Sequence, residues 1–243
     1  MRLDIFLLEK GLASSRTEAK GFIQGGAVTV CGKCVIKPSY EIPEDSTDVL
    51  VDRSVKKYAS RGGFKLAGAL TEFKIDVSGK LAIDIGASSG GFTDCLLQNG
   101  AIHVISVDSG SGQLAEFLRK DGRVTVIENY NARYMKPEDF EYRPQIAVMD
   151  VSFISATYII EAIAAVLADN GEFICLIKPQ FEVGRQGLGK GGIVKDDKIR
   201  KSALKKVVDF AIEHGFDFVS STTSPIKGGD GNTEYLAYFR KRI

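Results

Sequence analysis

Histidine is scarce in this chain of 243 residues, with His103 and His214 the two it has. The cysteines number four, and of these only Cys31 and Cys34 form a C-x-x-C pair; Cys95 and Cys175 stand alone in apolar surroundings. A structural zinc site takes about four such ligands at close spacing. No metal is therefore expected, the C-x-x-C reads as part of a hairpin, and Cys95 and Cys175 read as buried thiols. Long apolar runs are missing too. A membrane span needs roughly 18 consecutive apolar residues, and the best stretch, 158–168, is short and interrupted by Glu161. The opening MRLDIFLLEKG meets charge too early for a secretory signal, which points to a cytoplasmic protein. Neither charge sign dominates: 32 Lys and Arg face 31 Asp and Glu.

What is present fits a folded chain. Apolar residues make up 44% and include 14 Phe, enough to fill a core and to exclude disorder for the bulk. The balanced charge is unevenly spread. Residues 1–40 hold Arg2, Lys10, Arg16, Lys20, Lys33 and Lys37 against Asp4, Glu9 and Glu18. Residues 41–52 carry only acids, and residues 53–65 only the bases Arg53, Lys56, Lys57, Arg61 and Lys65. A basic face of this kind can bind nucleic acid although the whole protein is near neutral.

Two regions differ in pattern. In the first, Leu3, Phe6 and Leu7 recur at helical spacing up to Gly11, and Ser14 or Ser15 can cap a second helix with Glu18 following. A hairpin turning at Cys31-Gly32-Lys33 comes next. Two helices and a small sheet make a domain over 1–58. From 59 to 243, strands alternate with helices: strands at 81–85, 102–107, 124–127, 145–149, 172–177, 217–221 and 235–240, helices at 91–99, 113–119, 158–168 and 197–214. Apolar strands in this order predict a mostly parallel seven-stranded sheet covered on both faces, in the α/β class. The glycines from Gly184 to Gly192 predict a mobile surface loop.

The turn after the strand at 81–85 reads Asp84-Ile85-Gly86-Ala87-Ser88-Ser89-Gly90-Gly91-Phe92. Such a turn lies where the strand carboxyl ends open a crevice. Ser88 stands where the second glycine of G-x-G-x-x-G belongs, so the pyrophosphate fingerprint fails. A cofactor with an amino-acid moiety and no phosphate suits the turn better than NAD. Asp108 ends the next strand, where a carboxylate can accept the two hydroxyls of a ribose. A purely structural turn is the remaining alternative.

Several segments together resemble one family. They are S-R-G-G-F-K-L (60–66), the turn at 84–93, D-V-S-F-I-S (150–155), K-P-Q-F-E (178–182) and G-K-G-G-I-V (189–194). All are similar to the hemolysin A (TlyA-type) ribosomal RNA 2′-O-methyltransferases, whose methyltransferase domain is FtsJ-like. R-L-D (2–4), A-S-S-R-T-E-A (13–19) and the segment 26–33 resemble the S4 RNA-binding module that precedes it, with Cys31 where the module commonly has Asn. The resemblance spans the chain. It implies a Rossmann-like class I methyltransferase fold behind an S4-like α+β domain, and S-adenosyl-L-methionine as cofactor. The matching catalytic tetrad is Lys65, Asp150, Lys178 and Glu234.

On that resemblance Asp84, Gly86, Ala87, Ser88, Gly90, Gly91, Phe92, Asp108 and Asp150 are expected to hold the cofactor. Lys178 is expected to act as base on a ribose 2′-hydroxyl, a role that burial and nearby positive charge favour in a lysine. Asp150 would orient it, and Glu234 would orient Lys65 or accept a hydrogen bond from the ribose. Ribosomal RNA or a ribosomal subunit is the expected partner, through Arg2, Arg16, Lys20, Lys33 and Lys37, continued by Lys56, Lys57 and Arg61. Two rivals are a non-catalytic RNA-binding factor, disfavoured because all four tetrad positions are filled, and a membrane-active hemolysin, disfavoured because no span exists.

Overall fold

A computed structural model describes residues 1–52, 58–228 and 231–243, apart from the side chains of Gln24, Arg185 and Lys190. The chain divides into two compact units, Met1–Gly62 and Gly63–Ile243.

In the small unit, α1 (Leu3–Glu9) buries Leu3, Phe6 and Leu7, and the chain leaves it through Gly11 at φ +66°. α2 (Arg16–Gln24) is capped by Ser15, whose Oγ accepts the Glu18 N–H. The Glu18 carboxylate turns back to Ser14, accepting its N–H at 2.5 Å and its hydroxyl at 2.6 Å. Two orphan donors of the helix start are thus satisfied. The hairpin of β1 (Val28–Val30) and β2 (Lys33–Cys34) pairs Val30 with Lys33, so the turn is Cys31-Gly32 alone. Lys33, expected in the turn, opens β2 instead. Cys31 at φ +49° and Gly32 at φ +71° give the two left-handed positions a two-residue turn requires. A third strand, β3 (Val49–Val51), pairs on the other side of β1. Sequence reading does not find it, because three residues behind an acidic stretch carry too little periodicity.

The larger unit is entered by α3 (Gly62–Phe73). Its sheet runs in the order β6-β5-β4-β7-β8-β10-β9, comprising β4 (Leu81–Ile85), β5 (His103–Val107), β6 (Val124–Ile127), β7 (Ile146–Met149), β8 (Glu172–Ile177), β9 (Phe216–Thr223) and β10 (Tyr235–Lys241). The first five are parallel. β10 inserts antiparallel between β8 and β9. The inner strands are buried along nearly their whole length, as strands covered on both faces must be. Strand order reverses between β4 and β7, so a crevice opens at their carboxyl ends.

The helices are α4 (Gly91–Gln98), α5 (Glu116–Arg119), α6 (Thr157–Val166), α7 (Pro179–Glu182) and α8 (Asp197–Glu213). α5 is shorter than the expected 113–119, since the Gln113 side chain turns to the glycine-rich turn and accepts the Ser88 hydroxyl at 3.1 Å. The glycine-rich stretch expected as a plain loop contains two short 3₁₀ turns, Arg185–Gly187 and Lys190–Gly192. The thiols of Cys31 and Cys34 are exposed, and those of Cys95 and Cys175 are buried.

Candidate functional site

The crevice holds a cavity of about 360 Å³ lined at its floor by Ile85, Gly86, Ser88, Asp108 and Asp150, with Tyr130 and Phe153 among its walls. Gly86 sits at φ +81°, and a Cβ there would lie 2.5 Å from the Asp150 carbonyl oxygen. A Cβ on Gly90 would collide with Leu114 and Leu118. The two glycines therefore let the turn pack against its own protein, which in turn shapes the space above it. Asp108 organises the same turn. Its Oδ2 accepts the Ser88 N–H and its Oδ1 the Gly110 N–H, each at 2.7 Å. Each oxygen keeps a further lone pair for a ligand.

Of the residues expected at the cofactor, Gly86, Ser88, Asp108 and Asp150 line the cavity. Ala87, Gly90, Gly91 and Phe92 are buried behind it. Asp84 is fully buried as well. Its Oδ2 accepts the Thr93 hydroxyl at 2.7 Å, while Oδ1 has no hydrogen-bond partner. Burial pushes its carboxyl up to about 7, with the Asp150 and Asp108 charges adding to the shift against the Thr93 hydrogen bond. The lining holds Asp108 and Asp150 and no Lys or Arg, which suits a cationic ligand and not a pyrophosphate, whereas Asp84 lies buried outside it.

The four tetrad residues form two ion pairs. Lys65 on α3 donates to Glu234 at 2.6 Å, both side chains nearly sealed from solvent. Gly228 lies so close to this carboxylate that a Cβ there would meet Glu234 Oε1 at 2.4 Å. Lys178, at the end of β8, reaches Asp150 Oδ1 at 2.5 Å and donates to the Ser152 hydroxyl at 2.7 Å. Asp150 ends β7, so parallel neighbours β7 and β8 deliver the two residues side by side.

Two buried polar residues escape sequence reading as individual contributors. Asn232 accepts the Val194 N–H and donates to the Gly192 carbonyl, which ties the glycine-rich stretch to the approach of β10. Glu182 accepts the Ser155 hydroxyl at 2.5 Å and the Ala156 N–H at 2.7 Å. The signal for Glu182 was its place in K-P-Q-F-E; Asn232 had none beyond a short polar segment. Among the described residues, no three His, Cys, Asp or Glu side chains gather to hold a metal ion. No helix among them is long and apolar enough to cross a membrane.

In the small unit, Asp4 is fully buried yet carries two arginines. Arg2 donates to both of its oxygens, at 2.9 and 3.1 Å, and Arg16 to Oδ2 at 3.0 Å. The Arg2 hydrogen bond holds the Asp4 carboxyl below the usual range in spite of burial, and Arg16 adds to the effect. Both guanidiniums remain open to solvent, their side chains 42% and 50% exposed. Lys20, Lys33 and Lys37 are exposed, and Arg61 is half-buried. Lys56 and Lys57 lie outside the described residues.

Comparisons with known proteins agree on both units. Residues 58–241 match the FtsJ-like methyltransferase family, and residues 1–48 match the S4 domain. Hemolysin A of Brachyspira hyodysenteriae is 44% identical over 98% of this chain and 99% of its own. The 16S/23S rRNA (cytidine-2′-O)-methyltransferase TlyA of Mycobacterium tuberculosis is 40% identical over 98% of this chain and 89% of its own. A solved structure from Streptococcus thermophilus, 42% identical, covers 100% of this chain and 88% of that one with a TM-score of 0.76.

Proposed function

The chain belongs to the FtsJ-like methyltransferase family, with an S4 domain ahead of the catalytic one, and from that premise we propose that it methylates the ribose 2′-hydroxyl of a cytidine in ribosomal RNA. The observation that carries this reading is the assembly of Lys65, Asp150, Lys178 and Glu234 into two ion pairs, one beside the cavity and one buried. The activity for which the M. tuberculosis relative is named supports the substrate, and the S4 match supports binding of RNA. We assign residues 1–58 to RNA binding and 59–243 to methyl transfer, in the cytoplasm, where ribosomes are modified.

The donor is S-adenosyl-L-methionine. When bound it supplies a methyl group made electrophilic by a sulfonium. The acidic, lysine-free cavity fits the positive charges of that molecule. Asp108 accepts ribose hydroxyls with the lone pairs its backbone contacts leave free. Lys178, as the neutral amine, takes the proton from the 2′-hydroxyl as the oxygen attacks the methyl carbon and the methyl–sulfur bond breaks. Asp150 and Ser152 aim its Nζ, and Glu234 fixes Lys65 beneath solvent reach. Exact placement of hydroxyl and base supplies much of the rate. Arg2 and Arg16, preset by Asp4, contact phosphates and leave sequence choice to RNA shape.

The test is single-turnover transfer of labelled methyl from S-adenosyl-L-methionine to purified ribosomal subunits, followed by mapping of 2′-O-methyl positions. Label on a cytidine ribose is expected. Label on a base, or none with a cofactor that binds, overturns the reading.

A further inference from the structure

The segment that follows β7 makes a short arch, Ser152-Phe153-Ile154, between two fixed feet. At the first foot, Lys178 bonds Asp150 and Ser152. At the second, the Glu182 carboxylate accepts the Ser155 hydroxyl and the Ala156 N–H. Lys178 immediately precedes the short element α7 and Glu182 ends it, so α7 holds both feet. Phe153 on the crown has φ +65° and is 92% exposed. A bulky residue in the left-handed region carries strain that persists only where its surroundings over-determine it. The two feet do that, with the Phe153 ring 5.3 Å from the Phe181 ring as a third tie to α7.

We propose that Glu182 is a positioning residue for methyl transfer, anchoring the far end of this arch so that Asp150 and Ser152 stay in register with Lys178. The proposal rests on the methyltransferase reading above. Glu182 is not among the residues that line the cavity, and its side chain is almost wholly buried. Its charge is answered by Lys206 of α8, 3.2 Å from Oε2, the oxygen that also accepts the Ser155 hydroxyl. An ionised carboxylate accepts from all three donors at once. A glutamine cannot, because its amide nitrogen meets a donor. If the anchor loosens, the base is misplaced, and about 1 Å of misplacement costs on the order of 100-fold in rate.

The experiment uses the full-length protein and ribosomal subunits, with rates normalised to the cofactor-binding sites counted by calorimetry. In E182Q, kcat is expected to fall roughly 10- to 100-fold, with KM for subunits and cofactor Kd within about two-fold of wild type. The midpoint of the kcat pH profile should move by about half a unit, since the surroundings of the base change. A loss of folded protein alone scales that profile without moving it. E182D, one methylene shorter, should fall between wild type and E182Q, and it carries the test should E182Q not fold. K205M, which removes an exposed lysine of α8 that pairs with Asp209, should stay within about two-fold of wild type. A normal kcat in the folded Glu182 variant overturns the proposal. So does a lowered profile with an unmoved midpoint, or a K205M as slow as E182Q. A wild-type protein that labels no ribosomal RNA would instead remove the methyltransferase reading itself.

Discussion

Charge is used in opposite ways by the two units. In the small unit one buried carboxylate, Asp4, carries two arginines, so the cluster keeps a net positive charge that faces solvent. In the larger unit each tetrad lysine has a carboxylate of its own, so the pairs are neutral and turned inward. Beside them, the glycine-rich turn gathers carboxylates with no basic residue in the cavity lining. Under the proposed function the ratio of cations to anions separates the roles. In that reading two to one presents charge to a polyanion, one to one fixes a geometry, and a carboxylate without a cation beside it leaves room for one. A buried charge is costly unless answered, so each ratio marks a place where the fold accepts that cost for a use.

The strongest test of the one-to-one arrangement is Lys178. Lys178→Ala should slow methyl transfer about 100- to 10,000-fold while cofactor affinity stays near wild type. Lys178→Arg should be nearly as slow, because a guanidinium keeps its proton at any working pH. Single-turnover labelling of ribosomal subunits, with calorimetry in parallel, reads both. Substantial activity in Lys178→Arg would make the lysine a charge and not a base.

The buried pair offers the next largest effect, now on stability. Lys65→Met alone leaves Glu234 buried and unanswered, and should cost about 3–5 kcal/mol in urea unfolding. Removing both charges, as Lys65→Met with Glu234→Leu, should recover most of that loss and still give no methyl transfer. A single variant as stable as the double would show that the pair is not coupled.

Asp84 probes the unanswered carboxylates through pH. In the folded protein its carboxyl holds a proton up to about 7, against an ordinary 3.8 in the unfolded chain. Between those values the native state binds more protons, so this group's contribution to stability is complete below the lower value and falls as pH rises toward the upper one. Asp84→Asn should flatten that slope. Relative to wild type it should gain on the order of a few kcal/mol at pH 8 and nothing below pH 4. Parallel urea titrations of cofactor-free protein at the two pH values decide it. An equal difference at both would place the ionisation elsewhere.

The two-to-one cluster gives the smallest effect. Arg16→Ala should weaken binding to RNA of any sequence and reduce the slope of log affinity against log salt by about one. Fluorescence anisotropy across a salt series measures it. An unchanged slope would leave Arg16 as a structural partner of Asp4 only.

Local patterns made much of this molecule legible in its residues. Strands such as 81–85 and 172–177 were readable to the residue, because a strand covered on both faces is mostly a run of apolar side chains, bounded where that run stops. The capped start of α2 and the glycine-rich turn were readable because their requirements lie within a few residues of one another. The tetrad residues were nameable singly by family resemblance. Their pairing was a matter of tertiary structure: Lys65 meets Glu234 across 169 residues of chain only because β10 inserts antiparallel beside β8. β3 was hidden because three residues specify no strand until β1 offers its edge. The roles of Glu182 and Asn232 were hidden for a related reason, since a buried polar side chain is defined by the donors and acceptors around it, and those come from segments remote in sequence. Periodicity and turn chemistry are local, so the chain determined its elements by itself. The matching of buried charges and hydrogen bonds is non-local, so only the packed fold decided which of them form a site.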